Sequence, residues 1–446
     1  MSTIQQKTHQ TIWHPCSQMK DYESFKPLVI EQAAGCYITL NNKQKILDAI
    51  SSWWCKSLGH NHPRLKKALI NQAERFEHVI FANTTYETIV NLSEKLISKL
   101  PNLSKIFYAG DGSCAVEIAM KMSIHSRVIK GDTQRTQFMG LKNGYHGETT
   151  AALSVSDLGI YKDAYQSMLL NPIMINPIPY VSGENDPLWH NAEEYWLKAL
   201  PELEKHKQTV TAIIFEPILQ GAGGMLVYSP DFLKRLAVWA KTNDIHLIAD
   251  EIMTGVGRTG KFLACEYAEI NPDFVCLSKG LTSGWLPFSC VMTTNEIYDL
   301  FYDDYANGKS FLHSHTFSGN ALGAAIALEV LNIIEEDNLI NQANTIGRIM
   351  KANMQLVADQ TQMICNIRQV GAMVACDLKV NIPSERLGFK LYQIAVNEGI
   401  LLRPLGNTIY WLPPLIADEF ILEELKSKTL NALTIFKSHI LSIDLN

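Results

Sequence analysis

The stretch "HLIADEIMTGVGRTGKFLACEYAEINPDFVCLSKGLTSGWLP", residues 246–287, holds two short apolar runs that each end in an ionisable residue: HLIAD closes on Asp250 and FVCLSK on Lys279. Runs of this length, bounded by glycine and polar residues, read as strands buried on both faces. Upstream, TAIIFEP repeats the pattern and delivers Glu216, with SPDFLKRLAVWAKTND lying between it and HLIAD. That segment predicts a helix, because Ser229 suits the N-cap and Pro230 the first helical position. Earlier in the chain, KIFYAG runs into the turn GDGSCAVE, after which Val116, Ala119, Met120 and Ile124 follow helical spacing; SCVMTT adds a strand beyond Lys279. Short apolar strands alternating with amphipathic helices predict an α/β fold with a mainly parallel sheet covered on both faces.

Working outward, Leu65, Leu69, Phe76 and Ile80, then Ile89, Leu92, Leu96 and Leu100, predict two helices joined around FANTTYET, and a long helix is expected from near Ala321. Beyond about Leu331 the pattern changes to helices with a few strands, RQVGAMVACDL, GILLRP and TIYWLP, and the N-terminal segment also lies outside the αβ alternation. The expected division is a large α/β domain over residues 61–330 and a smaller α+β domain assembled from residues 1–60 and 331–446.

Composition narrows the function classes. The 446 residues are 47% hydrophobic and 19% charged, an ordinary globular profile. With 39 basic against 45 acidic side chains the net charge is −6, so there is no basic field for nucleic acid and no polybasic patch for a membrane. Nine cysteines lack any C-x-x-C pair, which argues against a disulfide framework or zinc site. Without a signal-like amino terminus or an apolar run of spanning length, the expectation is a cytoplasmic protein acting on small molecules.

In open α/β sheets, ligands bind beyond the carboxyl ends of the strands, where Glu216, Asp250 and Lys279 are all expected. One charged residue at a strand end is usually a solvated loop residue; three on successive strands point to a site. A lysine there can act as a Schiff-base nucleophile if desolvation lowers its pKa, and a buried carboxylate needs a positive partner. Pyridoxal phosphate meets both needs, its aldehyde taking Lys279 and its ring nitrogen facing Asp250. Its phosphate would suit Gly112 and Ser113 at the helix entrance GDGS, although the same turn also reads as a plain capped helix. Tyr145 in NGYHGE could stack on the ring or be an ordinary loop tyrosine. Trp53 and Trp54 could be core aromatics, Arg403 could be a surface residue, and Arg258 could hold a substrate or only a loop. His60 and His62 in GHNHP read as structural residues at a turn, since no acidic or thiol partners stand at ligand spacing.

Residues 249–287 closely resemble the cofactor-lysine signature of fold-type I, class III pyridoxal-phosphate aminotransferases. Further blocks extend the resemblance along the chain, among them IWHPCSQMKDY, DAISSWWCKSLGHNHP, GDGSCAVEIAMKM, NGYHGET, HSHTFSGNALGAAIALE and GILLRPLGNTIYWLPP. WHP and SSWW are similar to the biotin-biosynthesis branch of that family, which implies 8-amino-7-oxononanoate as amino acceptor and S-adenosylmethionine or lysine as donor. The resemblance implies that Lys279 is the Schiff-base lysine, Asp250 the ring-nitrogen partner, and Gly112, Ser113, His315 and Thr316 cofactor contacts. It implies a homodimer, Thr316 reaching the other subunit's cofactor. Trp53, Tyr145, Ser314 and Arg403 match substrate-contacting positions, with Arg403 as carboxylate anchor. The chain departs from the pattern after WHP, where some members have tyrosine and this one has Cys16. Glu148 stands where those members have aspartate, and His315 where they have proline. These departures bear on the donor more than on the acceptor.

Overall fold

The computed structural model describes residues 3–380, 382 and 385–443. Its centre is a seven-stranded sheet in the spatial order Lys105–Ala109, Ser289–Thr293, Phe274–Leu277, His246–Asp250, Val210–Phe215, Gln137–Leu141, Ile173–Ile175. Ser289–Thr293 runs antiparallel to both neighbours, and every other pairing is parallel. The fold is thus α/β with a mainly parallel sheet.

The continuous apolar runs have a simple cause. Strands 210–215, 246–250, 274–277 and 289–293 are buried at every position, so neither face needs a polar side chain. Successive residues feed opposite layers, as the period of two requires. Ile214, Ile248 and Phe274 pack with Val116 and Ala119 of helix Gly112–Ile129. Phe215, Leu247, Ala249 and Val275 belong to the other layer with Phe232 and Leu236 of helix Pro230–Thr242. That helix begins where its sequence predicts: Ser229 Oγ accepts from Phe232 N, and Pro230 holds the first helical position.

Both chain ends meet in a second sheet. Strands Ile30–Ala34, Tyr37–Leu40 and Lys45–Asp48 form an antiparallel meander, and Ile400–Leu401 adds to Lys45–Asp48 in parallel. A three-stranded sheet, Ile364–Val370, Met373–Leu378 and Thr408–Trp411, lies in the C-terminal part. Both sheets bear on the site, because Asp48 ends one and Tyr410 lies in the other. Among the described residues, no helix is long and apolar enough to cross a membrane.

Phe215 is wholly buried at the centre of the large sheet. Replacing it with alanine removes its packing and leaves a cavity, an expected cost of about 3–5 kcal/mol, read as a lowered midpoint in thermal unfolding followed by circular dichroism.

Candidate active site

Asp250 stands opposite Cys276 in the parallel ladder, so Lys279 emerges just past it at the same carboxyl edge. Lys279 begins a short 3-10 turn and takes a left-handed φ of 40°, which lifts its side chain off the strand line. Its Nζ lies 5.0 Å from the centre of the Trp54 ring. Burial lowers the lysine pKa and so favours the neutral amine, while Asp250 and Glu216 pull it back up. Asp250 is buried; His146 Nδ1 lies 2.8 Å from its Oδ2, and Ile252 N donates to its Oδ1 at 3.1 Å. Glu216 accepts from Gly221 N at 2.8 Å and Tyr145 N at 2.9 Å, and burial pushes its carboxyl up to about 7.

The adjoining floor is tightly interlocked. Helix Gly112–Ile129 is capped by Asp111, which accepts from Cys114 N at 3.0 Å. A Cβ on Gly112 would come within 2.9 Å of Ile252, and one on Gly147 (φ 125°) within 2.0 Å of Ser113 Oγ. Gly147 in particular, at positive φ and against Ser113, lets the Tyr145–Glu148 loop approach the helix entrance so closely. Glu148 N donates to Ser113 Oγ at 3.3 Å, and the Tyr145 hydroxyl donates to Glu148 Oε1 at 3.0 Å.

The rim rests on Asp48. Wholly buried, this carboxylate accepts from Ile50 N at 3.2 Å, Ser52 N at 2.7 Å and Ser52 Oγ at 3.1 Å, with His60 Nε2 at 2.8 Å. These bonds stabilise a turn in which Ser51, Ser52 and Trp54 have φ of 51°, 58° and 66°, a region such residues seldom occupy. Trp54 is buried and donates from Nε1 to the Tyr410 hydroxyl at 3.0 Å. Trp53, 45% exposed, turns the other way and lies 4.4 Å from the Arg403 guanidinium carbon. Arg403 donates to the carbonyl of Cys16 at 3.2 Å; the Cys16 thiol is 3.8 Å from the Tyr161 hydroxyl, and the Tyr161 ring is 5.8 Å from that of Tyr145.

The structure therefore brings together Lys279, Asp250 and Glu216, with Gly112, Ser113 and Tyr145 beside them and Trp53, Arg403 and Cys16 at the rim. It does not bring Ser314, His315 and Thr316 to them within one chain. Ser314 and Thr316 are exposed, the Thr316 carbonyl lies 2.8 Å from His78 Nε2, and His315 Nε2 lies 2.9 Å from His313 Nε2. Arg258, left open by sequence, is buried and donates to the carbonyl of Pro413 at 2.7 Å and to Ser51 Oγ at 3.3 Å, which braces the tryptophan turn. Sequence reading passed over His146, Asp48 and Tyr161. For His146 a signal existed, its adjacency to Tyr145; the other two gain their roles only through long-range contacts.

The "Aminotransferase class-III" family matches residues 18–433. The chain belongs to the class III aminotransferases. A Helicobacter pylori protein named adenosylmethionine-8-amino-7-oxononanoate aminotransferase is 42% identical over 91% of this chain and 92% of its own length. One of the same name from Aquifex aeolicus is 33% identical over 95% and 96%. Among solved structures, the Methanocaldococcus jannaschii protein of that name superposes with a TM-score of 0.89 at 32% identity, covering 96% of this chain and 98% of that one. An ω-transaminase from Pseudomonas jessenii in complex with PMP gives 0.91 at 26% identity, covering 98% and 99%. These neighbours make the fold that of the fold-type I transaminases.

The residues of this aminotransferase fit pyridoxal phosphate. A desolvated amine, a buried carboxylate for a protonated ring nitrogen and a glycine-opened helix entrance for an anion stand at one edge. His146 Nε2 is buried without a hydrogen-bond partner among the described residues, a polar atom of the kind that is filled when a site is complete.

Removing His60 leaves the buried Asp48 one donor short, so His60→Ala is expected to destabilise by about 1–3 kcal/mol. It is also expected to raise KM as the turn loosens, with His60→Gln restoring part of both; thermal unfolding and initial-rate kinetics check this.

Proposed function

We propose that this aminotransferase moves an amino group onto 8-amino-7-oxononanoate, the substrate in its relatives' names, to give 7,8-diaminononanoate in biotin biosynthesis. The observation that carries the reading is the pair of adjacent tryptophans, Trp54 against Lys279 at 5.0 Å and Trp53 against Arg403 at 4.4 Å. The reactive amine and the guanidinium are thus each set against one of two neighbouring tryptophans of a single turn. A long aliphatic acceptor with a terminal carboxylate needs that layout, its acid on Arg403 and its chain along the rings of Trp53 and Tyr145.

Pyridoxal phosphate would be held by Lys279 at its aldehyde, Asp250 at its ring nitrogen, Gly112 and Ser113 at its phosphate and Tyr145 on its ring face. When bound it supplies a carbonyl that accepts the amino group and a ring that withdraws electrons. Asp250, with His146 behind it, favours a proton on the ring nitrogen. Lys279, once its amine is free, would take the proton from the donor carbon bearing nitrogen and deliver it to the cofactor's aldehyde carbon; in the second half-reaction it would move a proton the opposite way, onto the acceptor's carbon. Burial supports this by keeping the amine neutral at lower pH than an exposed lysine allows.

We further propose a cytoplasmic homodimer. Thr316 would serve the partner subunit's cofactor with Ser314 and His315, and exposed Ile80, Leu312 and Phe317 would be covered in it. S-adenosylmethionine or lysine would be the donor, with Cys16 at the rim where that choice is made.

Incubating the enzyme with the oxononanoate and either donor is expected to yield the diamine with one of them. No diamine with either, alongside turnover of other ω-amino acids, would assign another ω-transaminase activity instead. Lys279→Ala is expected to abolish turnover and the visible absorbance of the lysine-bound cofactor. Because the lysine must be neutral, the limiting rate should fall as pH drops through its lowered pKa; an acid limb at the pKa of an exposed lysine, near 10.4, would contradict the role of burial.

A further inference from the structure

Tyr161 belongs to none of the sequence motifs, yet its side chain lies beside Cys16 and Tyr145 at the same rim. It sits in the short helix Gly159–Lys162, whose orientation is fixed by its neighbour: Lys162 Nζ donates to the carbonyls of Ser154 at 3.1 Å and Ser156 at 2.7 Å. Ile160 is turned out to solvent, while Tyr161 is partly buried with its ring 5.8 Å from that of Tyr145. Its hydroxyl has one side-chain partner among the described residues, the Cys16 thiol at 3.8 Å. Sulfur is a weak partner, so a phenol with both donor and acceptor capacity is left underused at the mouth of the site. Arg403 is close enough that its charge opposes part of the upward effect of burial on the phenol. Arg403 itself is oriented by Trp53 beneath it and by the Cys16 carbonyl, and these leave most of its five N–H donors free.

We infer that the Tyr161 hydroxyl is a substrate-binding group that, beside Arg403, donates a hydrogen bond to the carboxylate of the acceptor. The inference rests on the reading of Arg403 as carboxylate anchor and deepens it. A guanidinium accounts for charge and for one edge of a carboxylate. A phenol on the facing element would fix the second lone-pair direction and hence the angle at which the chain leaves toward Lys279. The Cys16 thiol would act as the placeholder that keeps the phenol aimed at the rim before substrate arrives.

Nonanoate and nonylamine, which share a chain and differ in their end group, separate the possibilities when titrated calorimetrically into cofactor-loaded enzyme. A hydrogen bond to a charged group predicts that Tyr161→Phe weakens nonanoate about tenfold. Nonylamine binding and the visible spectrum should not change, and in turnover the effect should fall on the acceptor's KM more than on kcat. Phenylalanine keeps the ring, so lost packing cannot imitate this result. Arg403→Met serves as the second arm. Nonanoate affinity lost in Arg403→Met but unchanged within twofold in Tyr161→Phe would overturn the inference alone. Affinity unchanged in both variants, or no nonanoate binding by the parent enzyme, would overturn the anchor reading beneath it.

Discussion

A carboxylate buried at the end of a strand costs free energy unless hydrogen bonds meet its oxygens. Asp250 is in this position, and the site is arranged around its needs. His146 and the Ile252 amide satisfy the side chain from within the protein. Glu216, just past the end of the neighbouring strand, is pushed toward its neutral form by burial and by the Asp250 charge. Lys279 is held close enough to feel both carboxyls, while burial lowers its pKa and so favours the neutral amine. Parallel strands make this possible because they end together and all deliver their last residues to one edge.

Where burial decided the residues, the fold was legible. Strands 210–215, 246–250 and 274–277 are covered on both faces and so read as unbroken apolar runs, which also exposed Glu216, Asp250 and Lys279 as exceptions at their ends. The outer strands Gln137–Leu141 and Ile173–Ile175 were not read, since one opens on an exposed glutamine and the other is three residues long and only partly buried. The strands of residues 30–48 escaped because Ile30–Ala34 is almost wholly exposed and Tyr37–Leu40 and Lys45–Asp48 are only four residues each.

The site was legible where chemistry needs a particular residue type and obscure where it needs only a position. Lysine, aspartate and paired glycines announce themselves. The turn at Ser51–Trp54 does not, because three residues with side chains occupy conformations usually given to glycine, and the cause, Asp48, is itself an unremarkable strand terminus until His60 and Ser52 fold onto it. Tyr161 gains its place from a contact with Cys16 across 145 residues of chain, a separation no local pattern encodes.

The glycine contacts at 112 and 147 carry a consequence for how this catalyst can change. At Gly147 a side chain would both strain the backbone and collide with Ser113, and at Gly112 one would displace Ile252, so substitutions there disturb the floor whatever the substrate. Trp53, Cys16, Tyr161 and Arg403 come from four separate elements and stand around an open mouth. None of these four side chains takes part in the close contacts at Gly112 and Gly147. Selectivity and reaction chemistry are therefore inherited separately, and a lineage of such enzymes can drift toward new amines at the rim while its interlocked floor stays the same.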